Sequence, residues 1–364
     1  MIGGPATFID RFAHHLSAKG HRVTVLCSSD LPDDPSDARR PFRVVRVCLR
    51  VREFYEVLVR VRLFWLMLFH REILVNGLEP YVEEVTRIVP RRFVLKVVGD
   101  SAWETARNRG TTIGTIDEFQ TNAQDQGRHA ALIAKRNRWV FRATQIVTPS
   151  EYLRKLVIGW GVSPEKTVVV NNGVEIEASH ADVPKARAAG LPLQILFVGR
   201  LTNWKGVETL LLALRNLHGV RTTVIGDGPA YPHLHELAIQ LGVSDEVTFQ
   251  GRCNPQEVRE AMRSAHALVL MSLYEGMSHT LLEAAALGLP VIASNVSGNE
   301  EVVLDGQTGL LIAPRDVAAL ARCLERLRDD EAFRLSLAEN ARARAADFSI
   351  DRTVMGFARL LDSL

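Results

Sequence analysis

The chain has 364 residues, too many for one ordinary hydrophobic core, so we expect two domains of roughly 150–200 residues each. With 47% hydrophobic and 24% charged residues it has the composition of a globular protein. The net charge of +2 divides unevenly: residues 1–175 hold 26 Lys and Arg against 19 Asp and Glu, and the remainder holds 18 against 23. The basic first part suits an anionic partner such as lipid phosphate, or is ordinary surface charge; no basic run interleaved with aromatic residues indicates nucleic-acid binding.

The chain opens on the glycine pair Gly3-Gly4 without a preceding apolar run. A Rossmann unit normally begins with a buried strand that leads into such glycines, so we expect the first strand of this unit to be missing. Met1–Asp10 also lacks the basic start, apolar run and cleavage site of a secretory signal. We therefore expect a cytoplasmic protein.

Short β-rich apolar runs in the first half predict a Rossmann-type layer. These predicted strands are Arg22–Cys27, Phe42–Val47, Ile73–Asn76, Phe93–Val98 and Gln145–Val147.

The stretch Phe54–Phe69 mixes apolar residues with Arg60 and Arg62. Its apolar part Val57–Phe69 is broken by these two arginines and is shorter than the roughly 20 residues that cross a bilayer, so it does not predict a membrane span. One interpretation is a helix that rests on an anionic bilayer with its cations at the head groups. The other is a helix packed on the sheet, because apolar residues occupy nearly every side of its second half.

The second half alternates apolar runs with helical stretches, the pattern of a parallel α/β sheet. Its predicted strands are Gln194–Val198, Thr222–Ile225, Val247–Gln250, Ala267–Met271, Pro290–Ala293 and Leu310–Ala313. Ala178–Leu191 is rich in Ala, Pro, Lys and Gly and has no apolar periodicity, which predicts a linker. This divides the chain into domains at residues 1–177 and 192–349.

Two cations follow the first strand of the second half. The strand ends at Gly199, and Arg200 and Lys205 lie five residues apart in the loop before the next helix. Ligands bind beyond the carboxyl ends of strands in open parallel sheets. Arg200 can fork onto phosphate oxygens while Lys205 acts as a point charge, which predicts a diphosphate site; the alternative is that both are surface cations.

Two carboxylates follow the strand Ala267–Met271: Glu275 in the loop and Glu283 in the next helix. Carboxylates placed in this way can accept hydrogen bonds from sugar hydroxyls. The intervening Gly276–Thr280 offers backbone N–H groups at a helix N-terminus to a phosphate. Chance and helix capping also produce such pairs.

Several motifs in order carry a family resemblance. The run YEGMSHTLLEAAALGLPVIAS resembles the E-x(7)-E motif of glycosyltransferase family four, and VGRLTNWKGVETLLLAL resembles its phosphate loop. VIGDGP, VTFQGR, SGNEEVVLDGQTGLLI and TPSEYLRKL…VVVNNGVE also match, so the resemblance covers essentially the whole chain. It implies an α/β protein of the GT-B fold, with two Rossmann-like domains facing across a cleft and residues 350–364 crossing back onto the first.

The resemblance also implies roles for single residues. Arg200 and Lys205 would hold the donor diphosphate, Glu275 the transferred sugar and Glu283 the nucleotide ribose. Gly99-Asp100 stands where the family often carries a His, so Asp100 receives a site role, with capping of the turn as the alternative. The other implied donor-binding residues are Gly3, Gly4, Gly199, Gly228, Arg252, Ser278, His279, Thr280 and Leu281.

The sequence therefore predicts a retaining transferase that moves a hexosyl group from a nucleotide-diphosphate sugar to a saccharide or lipid-linked acceptor in bacterial envelope or polysaccharide synthesis. The resemblance implies no cofactor and no metal, and no acidic D-x-D cluster is present to hold one. We expect peripheral contact with the inner face of a membrane and no nucleic-acid partner. A nicotinamide dehydrogenase is excluded because G-x-G-x-x-G is absent. A non-catalytic or truncated partner subunit that binds nucleotide sugar, and a nucleotide-sugar epimerase, stay open.

Overall fold

The computed structural model describes residues 4–32, 34–50, 52–176, 190–296 and 298–362. The chain divides into two compact units, Met1–Asn171 with Asp351–Leu364, and Asn172–Ile350. The segment 178–191 falls, apart from Gly190 and Leu191, outside the described residues. The linker predicted there stays a prediction.

Parallel strands and flanking helices build the first unit. Its helices are α1 Gly4–Ala18, α2 Arg52–Phe69, α3 Glu79–Thr86, α4 Ser101–Asn108, α5 Ile116–Thr121, α6 Ala123–Arg128, α7 Ala130–Arg142 and α8 Glu151–Gly159. Its strands are β1 Thr24–Ser29, β2 Arg43–Cys48, β3 Leu74–Val75, β4 Val94–Lys96, β5 Gln145–Thr148 and β6 Thr167–Val169. β1 and β2 form one parallel sheet, and the order β3-β4-β5-β6 forms a second.

The two sheets of this unit differ in burial. All three residues of β4 are buried, as expected for an inner parallel strand covered on both faces, whereas no residue of β1 is. The last helix of the chain, Ile350–Asp362, lies almost wholly in this unit and packs on α1. Phe357 of that helix lies 5.2 Å from Phe8 and 5.5 Å from Phe12, measured between ring centroids.

A single six-stranded parallel sheet forms the centre of the second unit. Its strands are β7 Leu193–Val198, β8 Val220–Ile225, β9 Val247–Gly251, β10 Ala267–Leu270, β11 Val291–Ser294 and β12 Leu310–Ile312. The helices around it are α9 Val207–Leu214, α10 Tyr231–Gln240, α11 Pro255–Ser264, α12 His279–Ala286, α13 Asn299–Val302, α14 Val317–Asp329 and α15 Glu331–Ala345. The last helix of the chain, Ile350–Asp362, which packs in the first unit, is α16.

The strand order β12-β11-β10-β7-β8-β9 shows how the chain builds this sheet. From β7 it runs outward through β8 and β9, then returns to place β10 on the other side of β7. The direction of winding therefore reverses between β7 and β10. In open α/β sheets such a switch point opens a crevice at the carboxyl ends of the strands.

The α/β prediction is confirmed, and each predicted strand overlaps an observed one. The largest shift is at Arg22–Cys27, which the structure places two residues later as Thr24–Ser29. Of Phe93–Val98 only Val94–Lys96 is paired in the sheet. β6 was missed as a separate strand. It has only three residues and is preceded by a 3-10 turn at Pro164–Lys166, so its apolar run is too short to stand out.

Candidate active site at the switch point of the sheet in the second unit

The loops after β7 and β10 start from neighbouring strands, since Ala267 of β10 pairs with Ile195 of β7. The first loop carries Lys205 and the second carries Glu275. The sheet topology thus brings together two predicted site residues that are 70 positions apart in sequence.

Lys205 and Glu275 form an ion pair, with 2.6 Å between the ammonium nitrogen Nζ and the carboxylate oxygen Oε1. The hydroxyl of Ser272 donates to the same oxygen at 2.7 Å. Glu275 is only 8% exposed, whereas the Lys205 side chain is 23% exposed. Among the described residues no group donates to the second carboxylate oxygen, Oε2. One oxygen is therefore fixed by the protein, and the other can accept a ligand hydroxyl.

Backbone contacts hold these two loops against each other. Leu273 donates its N–H to the carbonyl of Trp204 at 2.7 Å. Gly206, with φ +72°, lies so close to Met271 that a Cβ atom on it would be 1.9 Å from the Met271 carbonyl oxygen. Only glycine fits this position, because both the left-handed φ and the contact exclude a side chain. Lys205 is thereby held next to the loop of Glu275.

The loops after β7 and β8 are joined in the same way. A Cβ atom on Gly228 would lie 2.3 Å from the carbonyl oxygen of Leu201, which in turn accepts from the N–H of Ala230 at 3.0 Å. The Leu201 N–H donates to the carbonyl of Asp227 at 3.1 Å. Gly228 was predicted to bind the donor, and the structure gives it a packing reason as well.

Arg200 and Arg252 extend the positive charge along this edge. Arg200, directly after Gly199, is exposed and makes no ion pair with any described residue. The guanidinium of Arg252, in the loop after β9, donates to Asp227 Oδ2 at 3.0 Å with its side chain 78% exposed. Both side chains are placed to meet an anion from solvent.

The N-terminus of helix α12 completes the edge. Ser278 is its N-cap, and the Ser278 hydroxyl accepts a hydrogen bond from the N–H of Leu281. The first-turn N–H groups, which belong to His279, Thr280 and Leu281, have no carbonyl of the preceding turn to bond, so they give the helix end a partial positive charge. Glu283 lies half-buried within the helix. The predicted residues of the second unit therefore lie on loops or at a helix start at the carboxyl ends of the strands, except Glu283, which lies in the second turn of α12.

The sequence did not predict the polar residues that lie behind Glu275. Ser272 is fully buried, and its carbonyl accepts from the hydroxyl of Ser294. The amide of Asn299 donates to the Ser294 carbonyl at 2.9 Å. Asn172 donates to the carbonyl of Met277 at 2.9 Å, beside the cap of α12. The one signal in the sequence that could have identified Ser272 is its position three residues before Glu275.

Asp100 occupies a different setting in the first unit. It caps α4 by accepting from the N–H groups of Ala102 and Trp103 through Oδ1. Its Oδ2 accepts from Gln120 at 2.9 Å and from Arg136 at 2.6 Å. The residue is 0% exposed, so both oxygens are used and neither reaches solvent. This geometry favours the capping role that was weighed against a site role.

The remaining predictions concern the start of the chain, metal ions and membranes. Gly4 is the first residue of α1, and Gly3 lies outside the described residues. Within the described ranges no three His, Cys, Asp or Glu side chains cluster as metal ligands would. In that same part of the chain, every helix is too short or too polar to traverse a bilayer.

Comparisons with known proteins indicate the family. The family described as glycosyl transferase 4-like domain matches residues 3–173, and glycosyl transferases group 1 matches residues 181–344. The glycogen synthase of Mycobacterium tuberculosis is 29% identical over 95% of this chain and 86% of its own length. A D-inositol 3-phosphate glycosyltransferase of Salinispora arenicola is 31% identical over 67% of this chain, but the match spans only 60% of that relative.

Among solved structures, Anabaena HepE in complex with UDP-glucose superposes with a TM-score of 0.77 at 21% identity and covers 100% of this chain and 97% of HepE. At that identity the likeness establishes the fold. The two family matches are consecutive and together take in most of the chain. With two units built on parallel α/β sheets, they identify the chain as a glycosyltransferase of the GT-B type.

Proposed function

We propose that this chain transfers a hexosyl group from a nucleotide-diphosphate sugar to a hydroxyl of a saccharide or lipid-linked acceptor, with retention of anomeric configuration. The observation that carries the proposal is the pair Lys205 and Glu275 at the switch point, with one carboxylate oxygen held and the other open. A sugar hydroxyl matches the open oxygen, and a diphosphate matches the cations beside it.

The reaction breaks the bond between the anomeric carbon and the diphosphate oxygen and forms a bond from that carbon to the acceptor oxygen. The acceptor proton leaves with the nucleotide diphosphate, so charge builds on the departing phosphate as the bond stretches. Arg200, Lys205 and the N-terminus of α12 stabilise that charge. The ammonium of Lys205 has three N–H donors and uses one on Glu275, which leaves two for phosphate oxygens.

Glu275 positions the transferred sugar and stabilises positive charge at the anomeric carbon, and Glu283 accepts from the ribose hydroxyls. Because fixed cations and a helix dipole supply the electrostatic stabilisation, we propose that transfer proceeds without a metal ion. Gly199, Gly228 and Arg252 line the same edge and join the donor site in this proposal.

The class of donor and acceptor is supported by the relatives. HepE was solved with UDP-glucose, and the mycobacterial relative is named a glycogen synthase, a polymerising enzyme. We therefore propose a role in envelope or polysaccharide synthesis, with UDP-, GDP- and ADP-sugars as the donors to test.

A thermal-shift screen of these donors, followed by measurement of nucleotide release with saccharide acceptors, tests the proposal. We expect stabilisation by one nucleotide sugar and release of its nucleotide diphosphate when acceptor is added. Glu275→Gln should remove most of this release, whereas Glu236→Gln, an exposed carboxylate on α10, serves as the matched control and should not.

The same measurements separate the alternatives. Donor binding without nucleotide release under any acceptor would identify a non-catalytic partner subunit. Interconversion of the bound sugar without release would identify an epimerase. Full turnover in Glu275→Gln would overturn the assignment of the site, and an inverted anomeric centre in the product, read by NMR, would overturn retention.

A further inference from the structure

Helix α2 in the first unit has one face that packs inward. Val59, Leu63 and Met67 are all buried, with at most 8% of each exposed. They follow one another at intervals of four residues, which places them on a single stripe of the helix. This stripe packs α2 on its own unit.

The opposite face of α2 is also apolar, and it is exposed. At about 100° per residue these side chains are centred on the side directly opposite the buried stripe. Trp65 is 56% exposed and Phe69 is 77% exposed. The outward face consists of Phe54, Val57, Leu58, Val61, Trp65, Leu68 and Phe69.

A helix on the surface of a protein normally turns charged and polar residues outward. The outward face of α2 contains no charged residue over a helix length of about 22 Å, at 1.5 Å per residue from Phe54 to Phe69. Contiguous exposed apolar surface of this kind marks a site of contact with another molecule or a membrane.

The charges at the margins of this face indicate which of the two, another molecule or a membrane, the face contacts. Arg62 flanks the face, Arg50 precedes the helix and Arg71 follows it; all three are exposed and none has a carboxylate partner among the described residues. Arg91 donates to the carbonyls of Met67 and Leu68 and so adds a cation at the carboxyl end.

Carboxylates near the helix are fewer or already paired. Glu56 and Glu84 both bind Arg60. Among the described side chains, Glu72 and Asp30 are exposed carboxylates that oppose the cations, and Asp30 lies beside Arg50. Residues 1–171 and 351–364 together hold 28 Lys and Arg against 20 Asp and Glu, whereas residues 172–350 hold 16 against 22. Positive charge is therefore concentrated in the unit that carries α2.

We propose that the outward face of α2 lies in the head-group region of an anionic lipid bilayer. Trp65 and the two phenylalanines would enter the boundary between head groups and acyl chains, and the flanking arginines would meet lipid phosphates. The helix lies in the plane of the surface, because its other face is occupied by the core. The proposal goes beyond glycosyl transfer and does not depend on it.

The test is co-flotation of the full chain with vesicles of phosphatidylcholine alone or mixed with phosphatidylglycerol. We expect binding that rises with phosphatidylglycerol and weakens with salt. The double variant Trp65→Gln/Phe69→Gln should bind at least about tenfold more weakly, because the apolar contact is lost. Arg62→Gln should lose about fivefold on anionic vesicles only, since one cation near the surface contributes about 1 kcal/mol.

Ile239→Gln is the matched control, because Ile239 is an isolated apolar residue on α10 of the second unit and is 59% exposed. It should bind vesicles like the parent chain. Equal loss in this control, or no flotation of folded parent chain at low salt, would overturn the proposal. The proposal would also be overturned by a dimer of the parent chain, seen by light scattering, that the Trp65→Gln/Phe69→Gln substitutions dissociate, if neither protein binds vesicles. The face would then pair with a second copy of the chain.

Discussion

Each unit contains a pair of opposite charges with the same separation, and the two pairs differ in burial and in what else they bind. Asp100 and Arg136 lie 2.6 Å apart in the first unit, and Lys205 and Glu275 lie 2.6 Å apart in the second. Asp100 uses both oxygens on neighbouring protein groups. Glu275 uses one oxygen for both of its side-chain hydrogen bonds and leaves the other open.

The cations differ in the same sense. The Arg136 side chain is 5% exposed and its guanidinium stacks 3.9 Å from the centroid of the Trp160 ring, whereas one quarter of Lys205 reaches solvent. Burial lowers the pKa of Arg136, and the nearby Asp100 charge raises it in compensation. An ion pair whose hydrogen-bonding groups are all used by the protein stabilises the fold, whereas an ion pair with spare hydrogen-bonding capacity at a sheet edge is suited to a ligand.

Removing Asp100 from its ion pair with Arg136 should have the largest effect on stability. Asp100→Ala should lower the free energy of unfolding by about 3–5 kcal/mol, because the Arg136 charge is left buried without its partner. Urea denaturation followed by fluorescence measures the change. Adding Arg136→Leu should recover part of the loss. An Asp100→Ala protein as stable as the parent would mean that this pair does not hold the unit together.

Removing the cation of the other pair should act on the reaction instead. Lys205→Met should reduce transfer about 100- to 1,000-fold, the usual cost of losing one group that stabilises developing negative charge. Stability should change by less than about 1 kcal/mol, because the side chain is partly solvated and Ser272 still holds Glu275. Parallel measurement of nucleotide release and of the urea midpoint tests both parts, and a large loss of stability would erase the contrast between the pairs.

Another buried cation, Lys96 on β4, faces aromatic rings: its Nζ lies 3.4 Å from the centroid of Phe8. Burial lowers the pKa of Lys96 to about 7, against about 10.4 in an unfolded chain. Between these values the unfolded chain binds more protons, so stability rises with pH by up to about 1.4 kcal/mol per pH unit.

Lys96→Met should remove this contribution, so that stability between pH 7 and 10 becomes flatter than in the parent chain. Urea midpoints of both proteins at four pH values measure the difference. Superimposable pH profiles would show that Lys96 does not titrate in the folded protein within this range.

Ser272→Ala should have the smallest effect. Loss of the hydrogen bond to Glu275 Oε1 should lower kcat/KM about fivefold, equivalent to about 1 kcal/mol, while affinity for the free nucleotide diphosphate is unchanged. Ser336→Ala, an exposed serine on α15 whose hydroxyl bonds only the helix backbone, is the control. A fall in nucleotide affinity with constant kcat would mean that Ser272 supports the fold of the loop rather than the orientation of the carboxylate.

The strands could be predicted because they follow local apolar patterns, and the candidate residues of the second unit were named from their places after strands and from the family resemblance. Apolar runs mark the strands of a covered parallel sheet, and chemistry at the carboxyl ends follows from topology. Lys205 and Glu275 could therefore be named before their contact was known. The partner of Asp100 could not, since Arg136 arrives from 36 residues away on a helix whose sequence shows no sign of an ion pair.

Helix α2 shows another limit. Apolar residues occupy both its buried and its exposed face, so periodicity alone cannot say which face packs inward. The pattern of Phe54–Phe69 allows either a helix packed on the sheet or a helix that rests on a bilayer. In the structure the helix has both a core-packed side and an outward apolar side. Only the burial of Val59, Leu63 and Met67 assigns the sides.

The backbone contacts between the loops of the second unit have a consequence for how donor preference changes. Cβ atoms on Gly206, Gly226 and Gly228 would fall 1.8–2.3 Å from carbonyl oxygens of neighbouring loops. Lengthening any one of these loops would separate main chains that touch, and so would displace Lys205 or Glu275. On the proposed function, a change of sugar or nucleotide preference would therefore come by exchange of side chains on a fixed frame. A library that varies residue identity without insertions or deletions is the one suited to altering this enzyme.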